Sequence, residues 1–264
     1  MDWGDEFRGR KVVLTGACGV IGGWIAAAFA QAGARLCLSD RQGDRLAALA
    51  RRYGVAANGG LIHVTELADS ASIDELVAAV GKAWGAPDIV INNAGVYPSG
   101  FLLDIDAAEW DRIFDVNLRA PFLLARGFAR LMIAAQVKGN IVNISSGAAR
   151  RMRRTVVPYC TSKTALDRLT KGFALELAAF GIRVNAVEPG FAPGSSASPL
   201  TATHVEMTTA GIPMRRASAP EDAPNAIMFL CSAKASYVTG ATLSVDGGNS
   251  IGSLMVYQDK KEPG

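Results

Sequence analysis

Histidine is scarce: His63 and His204 are the only two in 264 residues. That leaves little for a histidine general base or a histidine-rich metal centre, and no metal is expected. Cysteine is nearly as scarce. Cys18, Cys37, Cys160 and Cys231 are scattered, with no C-x-x-C pair and no metal-ligand spacing. Reduced thiols in a cytoplasmic protein are the plain expectation. An excess of one charge is missing too, with 27 Lys+Arg against 24 Asp+Glu and a net charge of +3. Bulk charge therefore points away from nucleic acid. Every apolar run is interrupted by Gly, Pro or a charge before it reaches membrane-spanning length, so no membrane partner is expected. The opening Met1–Glu6 is acidic and lacks the apolar stretch of a secretory signal. No low-complexity segment, repeat or linker-like break in composition divides the chain, and residues 1–264 read as one domain.

What is present is hydrophobic residues, 50% of the chain, in short runs. Strands are expected at Lys11–Thr15, Arg35–Ser39, Leu61–Thr65, Asp88–Ile91, Asn140–Ile144, Ile182–Val187 and Ala241–Val245. Helices are expected at Gly43–Tyr53, Ser72–Trp84, Ala107–Gln136, Tyr159–Phe180 and Glu221–Ser232, with another from the first glycine turn to Ala32. Phe191–Ile212, rich in Pro, Gly, Ser and Thr, reads as an irregular segment or a mobile lid over a substrate. Ile251–Gly264 reads as a C-terminal tail with a mobile end, and its apolar part, Leu254–Tyr257, as a stretch that docks on a partner subunit. Strand and helix alternate, which predicts an α/β fold: a doubly wound parallel sheet covered by helices on both faces. In such folds ligands lie beyond the carboxyl ends of the strands, so the residues just after each strand matter most.

Gly16, Gly19 and Gly22 lie between the first strand and the first helix. Glycines permit a tight turn there, and the helix N-terminus offers free N–H groups to a pyrophosphate. Asp40 ends the second strand, where an acid can accept from a ribose 2′-hydroxyl and repel a 2′-phosphate. NAD is favoured over NADP, with Arg41 beside it as the counter-signal. Asn92-Asn93-Ala94-Gly95 follows the fourth strand, Ser145-Ser146 the fifth and Pro189-Gly190 the sixth.

Pro158 suits the first turn of a helix. Tyr159 and Lys163 then share a face at i and i+4. An ammonium that close is expected to lower the phenol's pKa, leaving a tyrosine able to exchange a proton with an alcohol or carbonyl oxygen. Ser146 is placed to hold the same oxygen.

These residues, with Thr15-Gly16, Gly22, Asp40, Asn117 in Asp-Val-Asn-Leu, and Tyr237–Gly248, resemble the short-chain dehydrogenase/reductase superfamily in its single-domain form, over Lys11 to about Ser250. The resemblance implies a Rossmann-type NAD(P)-dependent oxidoreductase, commonly a homotetramer. It makes Tyr159 the general acid/base, has Lys163 tune Tyr159 and bind the nicotinamide ribose, has Ser146 position the substrate oxygen, and has Asn117 support a water beside Lys163. It assigns cofactor contacts to Gly16, Cys18, Val20, Ile21, Asp40, Arg41, Leu67, Asn93, Ala94, Gly95, Tyr159, Lys163, Pro189 and Gly190.

Three features depart from the family's pattern. Val20 stands where the middle glycine of the turn is usual, with Gly19 one residue earlier. Gly194 stands where a threonine is common, and Ser195 is a candidate substitute for it. Arg150, Arg151, Arg153 and Arg154 crowd the segment between Ser146 and Tyr159. Guanidinium groups suit bidentate capture of carboxylate or phosphate, so Arg153 and Arg154 are candidates for an anionic substrate. A solvated basic loop, or ion pairs across a subunit interface, is the competing reading. His63 reads as structural, His204 as a residue of the lid, and Cys160 as pointing away from Tyr159's chemistry. The expected function is an NAD-dependent oxidoreductase acting on a secondary alcohol or ketone. The alternatives are an NADPH-dependent reductase of 3-oxoacyl thioesters and, more remotely, a non-catalytic NAD(H)-binding protein.

Overall fold

A computed structural model describes residues 3–195, 200–252 and 254. Seven strands form one parallel sheet: β1 (Lys11–Thr15), β2 (Arg35–Asp40), β3 (Leu61–Val64), β4 (Ile89–Asn92), β5 (Asn140–Ile144), β6 (Arg183–Pro189) and β7 (Thr242–Val245). Their order across the sheet is β3-β2-β1-β4-β5-β6-β7. The chain thus winds outward from β1 in one direction, returns, and winds outward in the other. The reversal falls between β1 and β4, where Val12 pairs with Ile89 and Leu14 with Ile91. A ligand crevice is expected at this reversal.

The β1 strand is apolar on both sides because both sides are covered. Val12 and Leu14 pack towards α1 (Val20–Gln31) and α8 (Asp222–Cys231), in a cluster with Ile25, Phe29, Ile227 and Leu230. Val13 packs the other way, towards α3 (Ser70–Trp84), α5 (Ala120–Ala134) and α6 (Val157–Leu177), with Leu76, Leu124, Phe128 and Ala174. Each fully buried Phe or Leu in these clusters contributes about 1.5–3 kcal/mol of transfer free energy. Among the described residues no helix is long and apolar enough to cross a membrane.

The segment expected to be mostly helical over 107–136 is so, in three pieces. It comprises α4 (Ala107–Phe114), a π-helical turn at Asp115–Arg119, and α5. Pro121 accounts for part of this, because it has no N–H to give to the carbonyl four residues back, that of Asn117. Such π-turns insert one residue and re-aim side chains, often at functional sites. The stretch expected to be irregular over 191–212 also needs correction: its second half is the helix α7 (Ala202–Ala210), where the Thr201 hydroxyl accepts from the His204 N–H at 3.2 Å. A Thr at the N-cap supplies a helix start that composition alone hides. The remaining helix, α2 (Gly43–Arg52), lies where expected. Of the tail, Met255 to Gly264 lie outside the described residues, and with them most of the apolar part read as a docking stretch.

Candidate active site

At the crevice, Gly16 has φ +65°, and a Cβ there would lie 2.7 Å from Ala94 Cα. A Cβ on Gly22 would lie 2.1 Å from the Gly16 carbonyl oxygen. No side chain fits either place. The side-chain amide of Asn93 donates to the carbonyls of Thr15 and Gly16, both at 3.0 Å. The Thr15 hydroxyl accepts from the N–H groups of Asn93 and Ala94, at 3.2 and 3.3 Å. The ends of β1 and β4 are thus bolted together, leaving a shallow backbone cradle. Gly19 has φ −72°, open to any residue, and Val20 opens α1. The departure at Val20 therefore leaves both sterically required glycines in place.

Asp40, at the end of β2, is 9% exposed. One carboxylate oxygen accepts from the Cys18 N–H and the other from the Gln42 N–H, both at 3.0 Å. Arg41 is exposed. Arg45, not anticipated, reaches back to the Gln42 amide oxygen at 2.8 Å and the Cys18 carbonyl at 3.2 Å. Burial pushes the Cys18 thiol up to about 11, so it is inert at neutral pH. Leu67 is buried beyond β3. The buried Asp40, the glycine cradle and the free helix end of α1 are the donor and acceptor set that a dinucleotide needs.

Tyr159 and Lys163 lie in the first two turns of α6, with Pro158 in its first turn. A buried ladder fixes the register of that helix on the sheet: the Asn92 amide donates to Asn143 Oδ1 at 2.8 Å, and the Asn143 amide donates to Thr170 Oγ1 at 2.9 Å. Lys163 is 3% exposed. Its Nζ donates to the Ile144 carbonyl at 2.8 Å and lies 5.8 Å from the Tyr159 ring centroid. Ser146, just past β5, hydrogen-bonds Tyr159. Asn117, central in the π-turn and fully buried, grips Val96 through both backbone groups at 2.8 Å. Gly95 lies between it and the lysine: a Cβ there would be 3.4 Å from Asn117 Oδ1 and 3.5 Å from Lys163 Nζ. Asn117, Ser146, Tyr159 and Lys163, remote in sequence, converge at the ends of β4 and β5.

The tyrosine's electrostatics differ from expectation. Burial holds Tyr159 above its ordinary pKa, against the opposing pull of the Ser146 hydrogen bond and the Arg153 charge. Lys163 does not reverse this, and burial brings its own value down to about 8.

The arginine cluster comes apart. Arg150 Nε pairs with the fully buried Glu188 at 2.8 Å. Arg151 donates to Asn249 Oδ1 at 3.0 Å. Arg154 lies over the Phe101 ring, 4.8 Å from its centroid. Arg150, Arg153 and Arg154 are exposed, and of these Arg153 is the one whose charge acts on Tyr159. Tyr97, missed in the sequence, meets Tyr159 edge to face at 6.1 Å. The loop carrying Tyr97 and Phe101 is tied to the arginine loop by the Gly100 N–H, which donates to the Thr155 carbonyl at 2.8 Å.

Gly190 leaves β6 against β7: its N–H donates to the Val245 carbonyl at 2.9 Å, and a Cβ would lie 2.7 Å from Ser218 Oγ. Gly194 has φ +100°, which a threonine would adopt only under strain, so the departure there changes the backbone path itself. His63 bonds Thr65 at 2.8 Å on the edge strand, as a structural residue would.

This architecture and site are those of a nucleotide-dependent oxidoreductase. A family model described as enoyl-(acyl carrier protein) reductase matches residues 16–250. Galactitol 2-dehydrogenase of Agrobacterium fabrum is 34% identical over 255 residues, covering 92% of this chain and 98% of that protein. The 3-oxoacyl-[acyl-carrier-protein] reductase FabG of Rickettsia bellii is 34% identical over 243 residues, covering 92% and 98%. The crystal structure of gluconate 5-dehydrogenase from Burkholderia cenocepacia, in complex with NADP and tartrate, superposes with a TM-score of 0.86 at 32% identity, covering 94% of this chain and 98% of that one. The chain belongs to the short-chain dehydrogenase/reductase superfamily, in its single-domain form, and is an oxidoreductase acting on CH–OH or carbonyl groups.

Proposed function

We propose that this enzyme is NAD-dependent and moves a hydride between the nicotinamide and the carbinol carbon of a secondary alcohol, or its ketone, on a small substrate bearing an anionic group. The observation that carries the reading is the convergence of Tyr159, Ser146, Lys163 and Asn117 at adjacent strand ends. In oxidation Tyr159 takes the hydroxyl proton; in reduction it returns one to the carbonyl oxygen. Ser146 holds that oxygen, and the Lys163 ammonium stabilises the phenolate. Because burial raises Tyr159, the neutral phenol is the resting form at pH 7, which suits it as an acid; oxidation gains as pH rises. Asp40 supports NAD by placing a carboxylate where a 2′-phosphate would sit.

Arg153 supports the anionic substrate, since it is the exposed arginine of the cluster whose charge acts on Tyr159. The polyol and sugar-acid names among the relatives agree with a small polyhydroxy substrate. A homo-oligomer, tetramer or dimer, in the cytoplasm completes the reading, with Leu175 and Phe180 exposed at the end of α6. The exposed Arg41 and the likeness to FabG favour a second reading, an NADPH-dependent reductase of 3-oxoacyl thioesters.

NADH formation with D-gluconate and galactitol, measured for wild type, Tyr159→Phe and Arg153→Ala, tests the proposal. Tyr159→Phe is expected to lose at least about 100-fold in kcat. Arg153→Ala is expected to raise KM for gluconate about tenfold and leave galactitol unchanged. Equal effects of Arg153→Ala on both substrates would remove the anionic assignment, and turnover with NADPH and acyl thioesters alone would favour the second reading.

A further inference from the structure

A buried ammonium needs an opposite charge nearby. Lys163 is 3% exposed, and the acceptor its Nζ reaches, the Ile144 carbonyl, is neutral. The acid acting on it is Asp167, one turn further along α6. Asp167 Oδ1 is itself buried, against the equally buried Ser145 hydroxyl at the end of β5. Burial works against the ionised form of Asp167, and the Ser145 hydroxyl favours it. The cations that also favour it are Lys163 and Lys171 on its own helix and Arg150 from the loop after β5. Arg150 is held by Glu188 on β6, whose carboxylate is wholly buried and also accepts from the Ser244 hydroxyl on β7. Four charges therefore alternate behind Tyr159: Lys163, Asp167, Arg150 and Glu188, with Lys163 and Glu188 buried and the Arg150 side chain 44% exposed. Buried charges alternating in sign oppose one another's desolvation, while a missing member leaves its neighbour uncompensated.

We propose that Asp167 is the positioning residue that keeps Lys163 in its ammonium form, and that Arg150, itself held by Glu188, helps keep Asp167 ionised to do so. This gives Arg150 a role in the charge network behind Tyr159, whereas Arg153 acts on Tyr159 itself. The functional consequence rests on the acid/base reading of Tyr159 and Lys163; the electrostatic link does not.

The test is a pH titration of the apo-protein carrying lysines labelled with 13C at Cε, followed by NMR, with the Lys163 resonance assigned through Lys163→Arg. In wild type the midpoint is expected near pH 8. In Asp167→Asn it should fall by about one pH unit or more, and Arg150→Met should lower it less. Asp167→Glu should restore it. An unchanged midpoint in Asp167→Asn overturns the proposal; should that variant not fold, an unchanged midpoint in Arg150→Met does so. Where the wild type turns over galactitol or gluconate, the pH profile of kcat/KM should narrow from both sides in Asp167→Asn. A neutral lysine cuts the alkaline limb and leaves the phenolate less stable on the acid limb. A uniform fall in rate with both limbs in place would reduce Asp167 to a structural residue. If Tyr159→Phe keeps full turnover while the lysine midpoint still moves in Asp167→Asn, the electrostatic link stands and the acid/base reading fails.

Discussion

Between the ends of β1 and β4, Asn93 and Thr15 pair off backbone groups by short hydrogen bonds, and the glycines leave no room for a side chain. Beneath the loop after β5, Glu188 Oε1 is buried without a partner, and Asp167 Oδ1 is buried against the Ser145 hydroxyl. The first region is built for shape. It holds two strand ends at a fixed separation, so that backbone can approach a ligand closely. The second is built for charge: it keeps ionisable groups out of water at some cost to stability. A site that must both fit a dinucleotide and move a proton needs each kind, and this fold puts the first at the β1–β4 seam and the second beyond it, behind β5 and β6.

Substitutions can break that contrast. The largest effect is expected from Gly22→Ala, whose Cβ would stand 2.1 Å from the Gly16 carbonyl oxygen, a backbone atom with little freedom to move. Calorimetry should show dinucleotide binding weakened by at least about 100-fold, from a backbone clash of roughly 3 kcal/mol. Next comes Lys163→Met, which should abolish turnover yet stabilise the apo-protein. Folding lowers the lysine from 10.5 to about 8, so the folded state disfavours its charged form. Below pH 8 that penalty is complete, about 3 kcal/mol at 1.36 kcal/mol per unit, and it fades to nothing as pH rises towards 10.5. Thermal melts of the two proteins should differ most at pH 7 and converge above pH 10. Gly19→Ala is expected to do least. Its φ of −72° is ordinary, and the Cβ would touch the Gly16 carbonyl at 3.3 Å. A cost below about 1 kcal/mol and nearly unchanged binding would show that shape is demanded at two glycines of the turn and not at all three.

The shape-built region was the more legible of the two. Lys11–Thr15 and Asn140–Ile144 are strands at the residues expected, because β-branched runs bounded by turn residues carry their own signal. Charge was harder to read. The arginine segment looks like one basic cluster, yet Glu188, Asn249 and Phe101 arrive from elsewhere in the chain to take three of its members. Tyr159 was expected to ionise more easily beside Lys163, and it is held the other way because burial acts on both groups. Spacing along a helix shows that two groups are neighbours; it does not show how dry they are. The π-turn at Asp115–Arg119 was hidden for a related reason, since Pro121 marks a helix start as readily as a disturbed helix.

The reversal of strand order at β1 also bears on how the chain reaches this structure. Lys11 gives its N–H to the Asp88 carboxylate across 77 residues of sequence. The central strand therefore cannot acquire its second neighbour until three helices and two further strands have been made. Parallel pairings that close such long loops come late and slowly, because the loop entropy is lost before the contacts repay it. Until then β1 has a bare edge of apolar sequence, the pattern most prone to joining another chain. Nascent chains stopped short of Ile89 are the ones for which a chaperone's cover would matter most.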